Sequence, residues 1–324
     1  MPSACTARYA YPLWTAVVLA PFGALPLELA ATLWIAVGIG AAVGGTALAW
    51  HAVRGPRRGA ALLGALLVSS QPFWVLLVGG QMTGLLLGLS GLLAWTASQQ
   101  RQVTGGLSLA LLLVKPQLVA VLAPVLVVGA ATRRAVRAVV AFGAAAAVLV
   151  ALPFALEPGW LSGWLPEVTG RATELAPRLA TLWGLAADLF GHPGWGIPLA
   201  AGLVIALWWL LRGAAVRPAE AVALALALSV ALAPHAWSYD HLVLVVPWAA
   251  ALAAALPLRG WRRAALLGGV VATASPLPWT LYAVAFARGA DTLSVAVPVA
   301  TMAVLALALR ARTSLRRDRR RPLR

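Results

Sequence analysis

Lys115 is the only lysine among 324 residues whose other strongly basic side chains are all arginine. It follows the apolar run Leu111-Leu112-Leu113-Val114 and precedes Pro116-Gln117. An ammonium at a break in an apolar helix can neutralise a phosphate as negative charge collects on it, which matters most where water is scarce. It can also be structural, because a lysine can lay its stem along apolar surface and snorkel its head to an interface. A second dense stretch runs Pro234-His235-Ala236-Trp237-Ser238-Tyr239-Asp240-His241. Asp240 could act as a base or orient a histidine, and His235 could contact a phosphate. The same stretch also reads as a hydrated polar turn.

Two smaller clusters complete the polar inventory, Tyr9-Ala10-Tyr11-Pro12 and Gly80-Gln81. Gln81 and Gln117 can donate and accept hydrogen bonds to sugar hydroxyls, or can simply tie helix to helix. Tyr11, Tyr239 and His241 are further candidate substrate contacts. Two histidines six apart with one carboxylate between them match no strong zinc spacing, and Cys5 is the only cysteine, so no metal site is expected. No glycine-rich nucleotide loop, serine elbow or HExxH occurs, and no cofactor is called for.

The elements that position these residues are membrane helices. The chain is 62% hydrophobic and 10% charged, with a mean hydropathy of +0.88, whereas a soluble domain carries about 25% charged residues. Apolar runs such as Leu27 to Trp50, Gly59 to Val78 and Ala264 to Ala285 reach the roughly 20 residues that cross a hydrocarbon core as helix. No alternating pattern of an outer-membrane barrel appears. The fold class is therefore all-α, a polytopic transmembrane helical bundle of about ten or eleven membrane segments.

A net charge of +16 would point a soluble protein toward nucleic acid, but here topology accounts for it. Twenty of the 24 arginines fall at alternate connections: Arg54/Arg57/Arg58, Arg101, Arg133/Arg134/Arg137, Arg212/Arg217, Arg259/Arg262/Arg263 and the stretch from Arg310 to Arg324. The positive-inside rule makes these cytoplasmic. Most acids take the other side, at Glu28, Glu157, Glu167, Glu174, Asp188, Asp240 and Asp291. No nucleic-acid partner is needed. The basic tail 312–324 is expected to rest on anionic membrane lipid. The first apolar run lacks a basic leader and contains Pro12, Pro21 and Pro26, so no cleavable signal is expected.

The orientation then gathers all four polar clusters toward the outer face, where polar groups at membrane depth usually line a cavity. The stretch from Gly105 to Ala130 starts and ends at cytoplasmic arginines, so it must go out and back although it holds only about one span's worth of residues. Pro116 breaks it, which predicts two short or tilted helices with Lys115-Pro116-Gln117 at their tip. Residues 157–196 form the longest outer connection, and Trp160, Trp164, Trp183 and Trp195 suit an interfacial, partly helical cap. One transmembrane domain over 1–311 and a cytoplasmic basic tail over 312–324 follow.

With these residues assembled, the chain resembles glycosyltransferase family 87 from about Tyr9 to Leu256. The resemblance rests on Tyr11-Pro12 leading to Ala20-Pro21 and Leu25-Pro26, Gly80-Gln81 opening a helix, and Gly105-Gly106 followed by Val114-Lys115-Pro116-Gln117. It continues through Ala233-Pro234-His235 and Tyr239-Asp240 to Pro247. It implies a GT-C-like enzyme of the cytoplasmic (inner) membrane that transfers a hexose, with mannose expected, from a polyprenyl-phosphate sugar donor to a lipid or glycan acceptor on the outer side. Members usually carry a further helix and an outer loop with an aspartate, the presumed base, ahead of the Tyr-Pro motif. Ten residues precede Tyr11 here and hold no acid, so two expectations stand: an upstream segment encoded before Met1, or a truncated, inactive form. From another class, the same cavity could serve a lipid or solute transporter or flippase.

Overall fold

A computed structural model describes residues 11–318, the side chains of 171–173 and 316–318 excepted. Tyr9, Ala10, Cys5 and the last six residues lie outside the described part. The described residues are helical with no strand, the all-α polytopic bundle expected. In chain order the helices are α1 (Leu13–Gly23), α2 (Leu27–Ala52), α3 (Arg57–Ser69), α4 (Gln71–Gly79), α5 (Thr83–Ser98), α6 (Gln102–Leu111), α7 (Leu122–Thr132) and α8 (Val136–Leu156). There follow α9 (Trp160–Leu175), α10 (Leu182–Phe190), α11 (Gly196–Leu211), α12 (Pro218–Leu232), α13 (Val245–Ala255), α14 (Gly260–Ala274), α15 (Pro276–Arg288) and α16 (Ala296–Asp318).

Among the described residues six stretches are long and apolar enough to cross a membrane, and α3 with α4, bent by 54°, makes up to seven if that pair counts as one broken span. Helices α1, α5, α6, α7 and α12 are shorter and apolar. Proline sets the breaks. Gln71-Pro72 opens α4 after an extended Ser70, with the proline in the first turn where its missing amide costs no helical bond. At Ser275-Pro276 the ring pushes Ser275 out of the helical region and parts α14 from α15.

The core is built around α13. Of the span 238–255, 94% of the residues are buried, against 6% of α8 and 6% of the span ending in α11. Helices α2, α12, α14 and α16 enclose α13. Helix α8 instead turns Val140, Val148, Leu152 and Phe154 outward, as α11 does Val204, Ile205, Trp208 and Trp209. Apolar side chains on a helix that the protein does not cover belong against lipid.

The closest packing is α2 on α5, where glycines let the backbones meet. A β-carbon on Gly84 would come within 2.3 Å of the Gly38 carbonyl oxygen, and one on Gly91 within 2.1 Å of the Gly45 oxygen. Small residues repeated every three to four positions permit this approach in membrane helices.

The arginine clusters lie at alternate connections, so the bundle has an arginine-rich end and an arginine-poor end. At the rich end the guanidinium of Arg212 lies 5.2 Å from the ring centres of both Trp208 and Trp209, and Arg262 lies over Trp261. Such aromatic and cationic pairs mark a membrane interface.

Two details differ from the sequence reading. Trp195 is exposed, but Trp160 is buried and packs edge-on against Trp14 and Phe154, so it anchors α9 to α1 and α8. Arg312, expected to open the basic tail that rests on membrane lipid, lies inside α16. It is buried and makes two hydrogen bonds to Glu220 at the start of α12.

Candidate functional site

The strand-free turn between α6 and α7 begins where Pro116 interrupts the helix. Lys115 there takes a non-helical conformation (φ −128°, ψ 75°) between two short 3-10 turns. A broken helix leaves carbonyls and amides without partners, and neighbours supply them. The Trp14 indole donates to the Leu113 carbonyl at 2.9 Å and the Thr15 hydroxyl to the Val114 carbonyl at 2.7 Å. The Ser229 hydroxyl of α12 accepts the amides of Val121 and Leu122. The tip is thus held from both sides inside the bundle, and the two short helices follow the sequence expectation.

The second element is the 3-10 turn Ser238–Leu244 ahead of α13. Asp240 and Trp237 close it reciprocally, the Asp240 amide donating to the Trp237 carbonyl and the Trp237 amide to Asp240 Oδ2 at 3.1 Å. Asp291, between α15 and α16, accepts the Ser238 amide at 2.6 Å and the Ser294 hydroxyl, while its own amide donates to the Arg178 carbonyl. Burial raises the Asp291 carboxyl above its usual range, an effect the Ser294 and Ser238 bonds oppose.

These two elements meet at one contact. Lys115 Nζ donates to Asp240 Oδ1 at 2.5 Å, with both side chains fully enclosed. The Nζ atom also lies 5.1 Å from the ring centre of Tyr239 and 5.8 Å from that of Tyr11. A cation between two aromatic faces and a carboxylate is compensated without being spent. His235 stands beside this group. Its Nε2 accepts the Trp237 indole at 3.2 Å. An indole nitrogen only donates, so the imidazole proton sits on Nδ1. Burial, and then the Lys115 charge, hold the His235 pKa below its ordinary value and keep the ring neutral.

Lys115, Asp240, Tyr239, Tyr11 and His235 are therefore brought together from the chain's beginning, middle and later parts. Gln81 and Gln117 are half-buried, and neither makes a hydrogen bond to Lys115 or Asp240. His241 is fully buried, and neither of its ring nitrogens meets a hydrogen-bonding group. Trp14, Thr15, Ser229, Trp237 and Asp291 position the site and were not singled out from sequence. Asp291 was noticed only as an acid of the arginine-poor end.

A buried, compensated lysine at the tip of an interrupted helix pair lies at the centre of a polytopic membrane protein. The family model described as glycosyltransferase family 87 matches residues 9–247, which include Tyr11, Lys115, His235 and Asp240. The chain belongs to that family and is a membrane glycosyltransferase, acting between a sugar donor and an acceptor. No curated protein and no solved structure matches it.

Proposed function

We propose that this glycosyltransferase moves a hexose, mannose in the first instance, from a polyprenyl-phosphate donor to a lipid or glycan acceptor at the outer side of the cytoplasmic membrane. The observation that carries this reading is the Lys115–Asp240 pair, a single ammonium held ready within an apolar bundle at its arginine-poor end. That end is outer by the positive-inside rule.

In an inverting transfer the acceptor hydroxyl oxygen bonds to the anomeric carbon as the bond from that carbon to the phosphate oxygen breaks. The electron pair leaves with the phosphate. Lys115 balances the phosphate charge, and the Nδ1–H of His235 donates to a phosphate oxygen. Tyr11 and Tyr239 flank the ammonium, and Gln81, Gln117 and His241 remain sugar or acceptor contacts on this reading.

Asp240 lies against Lys115, on the leaving-group side, whereas the hydroxyl's proton departs on the opposite face of the sugar. Asp240 therefore acts here as the residue that positions Lys115. The hydroxyl's proton goes to a base on that opposite face, a role the resemblance gives to an aspartate ahead of the Tyr-Pro motif. Residues 1–10 hold no acid, so the form carrying the upstream in-frame codons is the one that would supply it.

The test is transfer from radiolabelled polyprenyl-phosphate mannose in proteoliposomes, with the chain expressed from Met1 and also with its upstream in-frame codons. Label moving into an acceptor fraction, and lost in Lys115→Met, is the expected result. Labelled donor crossing the bilayer intact would favour a flippase instead. No transfer from mannose, glucose or galactose donors with either form would overturn the proposal.

A further inference from the structure

A cavity of about 530 Å³ opens at the arginine-rich end, between α5, α6, α7, α8 and α12. It lies at the opposite end of the α6–α7 pair from Lys115, about 15 Å along α6 at 1.5 Å per residue. The proposed transfer makes no use of it. Its size falls within the range of pockets that hold small ligands, about 300–1,000 Å³.

Two chemistries divide the lining. The wall is aliphatic and aromatic, with Leu93, Leu109, Leu126, Val139 and Phe142 among its side chains. The mouth carries the guanidinium groups of Arg101 and Arg133, and no aspartate or glutamate lines the cavity. Arg101 is held in place by stacking at 4.9 Å over the ring of Trp95. Gln102, Ala135 and Pro218 also line it, and these residues stand at the starts of α6, α8 and α12. Three helix N-termini meet the C-terminal ends of α5 and α7 there, so the opposed helix dipoles largely offset and the two guanidinium groups carry the positive field. Glu220, the nearest acid in sequence to this lining on α12, is already engaged by Arg312 and Arg217 and does not offset that field.

A free inorganic anion would match the mouth but not the wall, and a neutral lipid would match the wall but not the mouth. We propose that this cavity binds one anionic phospholipid of the surrounding bilayer. Its phosphodiester sits between Arg101 and Arg133, and an acyl chain lies along Leu93, Leu109 and Phe142. Basic pockets between membrane helices at the cytoplasmic side hold such head groups in this way.

The experiment is native mass spectrometry of the full chain released from a neutral detergent, titrated separately with phosphatidylglycerol, phosphatidylcholine and inorganic phosphate. One phosphatidylglycerol retained per chain in preference to phosphatidylcholine is expected. Arg101→Gln should weaken it about fivefold, and Arg101→Gln with Arg133→Gln about twenty-five-fold, at the strength typical of one basic residue near a lipid surface. Both arginines are exposed, so the fold should survive. Arg259→Gln with Arg263→Gln, at the same end but outside the cavity, should retain the lipid. Ala130→Phe, which puts a ring into the space, should exclude it. Equal retention of the two lipids, displacement by phosphate alone, or a preference that survives loss of both arginines would overturn the proposal.

Discussion

Lys115 Nζ lies 2.5 Å from Asp240 Oδ1 across 125 residues of chain, and neither side chain is more than 1% exposed. Each charge therefore depends on the other, because removing one partner of a buried pair leaves an isolated charge at a cost of about 3–5 kcal/mol. Lys115→Met and Asp240→Asn should each lower thermal stability in detergent sharply. The double variant Lys115→Met with Asp240→Met should recover most of it, since an apolar replacement of both partners is nearly neutral. None of the three should transfer sugar. A stable, active Lys115→Met protein would show that the ammonium serves neither purpose.

His235 gives a prediction about pH. Burial first, and the Lys115 charge second, depress its folded pKa below the ordinary histidine value. The folded state therefore binds fewer protons than the unfolded one. The histidine's contribution to stability is complete above its unfolded pKa, near 6.5, and is lost as pH falls through the lower folded value. Transfer should accordingly be flat above about pH 7 and decline on acidification, as His235 becomes charged and gives up the Trp237 indole. Trp237→Phe removes the donor that fixes the proton on Nδ1, and should lower the rate at neutral pH while leaving the protein folded. An unchanged pH profile and rate in His235→Ala would remove this residue from the reaction.

The lone lysine and the proline beside it were legible in sequence because a charge and a helix breaker inside an apolar run are each costly without a use. Asp240 as the lysine's partner was not legible. In a 3-10 turn successive side chains diverge by about 120°, so Asp240 and His241 point to different surroundings although both looked equally available. Gln81 and Gln117 share an end of the bundle with Lys115, and sharing an end does not bring side chains into contact. Hydropathy also does not separate the enclosed α13 from the peripheral α8. Protein interior and lipid are equally apolar, so the two environments select similar residues.

Helices α2 and α5 make a prediction about packing. A β-carbon at Gly91 would lie 2.1 Å from the Gly45 carbonyl oxygen, a backbone atom that can yield only if the helices part. Gly40 and Gly44 on the same α2 have open space where a β-carbon would stand. Gly91→Ala should therefore destabilise by about 1–3 kcal/mol, the usual cost of overpacking. Gly40→Ala and Gly44→Ala should be neutral or slightly stabilising, as alanine is the better helix former. Thermal unfolding of the three variants in one detergent checks the contrast, and equal effects at all three positions would mean that α2 and α5 do not pack this closely.

Glu220 is the counterpart of the Lys115 pair at the other end of the bundle. Its carboxylate is fully buried and receives two hydrogen bonds from Arg312, one from the Arg217 side chain and one from the Arg217 amide. Arg312 further donates to the Ala215 carbonyl, and the Thr313 hydroxyl accepts the Ala215 amide. The last turns of α16 are thereby fastened to the start of α12, which makes Arg312 part of the fold. Glu220→Gln should cost about 3–5 kcal/mol through the guanidinium left without its carboxylate. Glu220→Leu with Arg312→Leu should restore much of that loss. Ending the chain after Arg310 should destabilise about as much as Glu220→Gln, whereas ending it after Arg317 should not. Thermal unfolding of these four variants distinguishes a structural clamp from a free basic tail, which would leave all four at the stability of the parent.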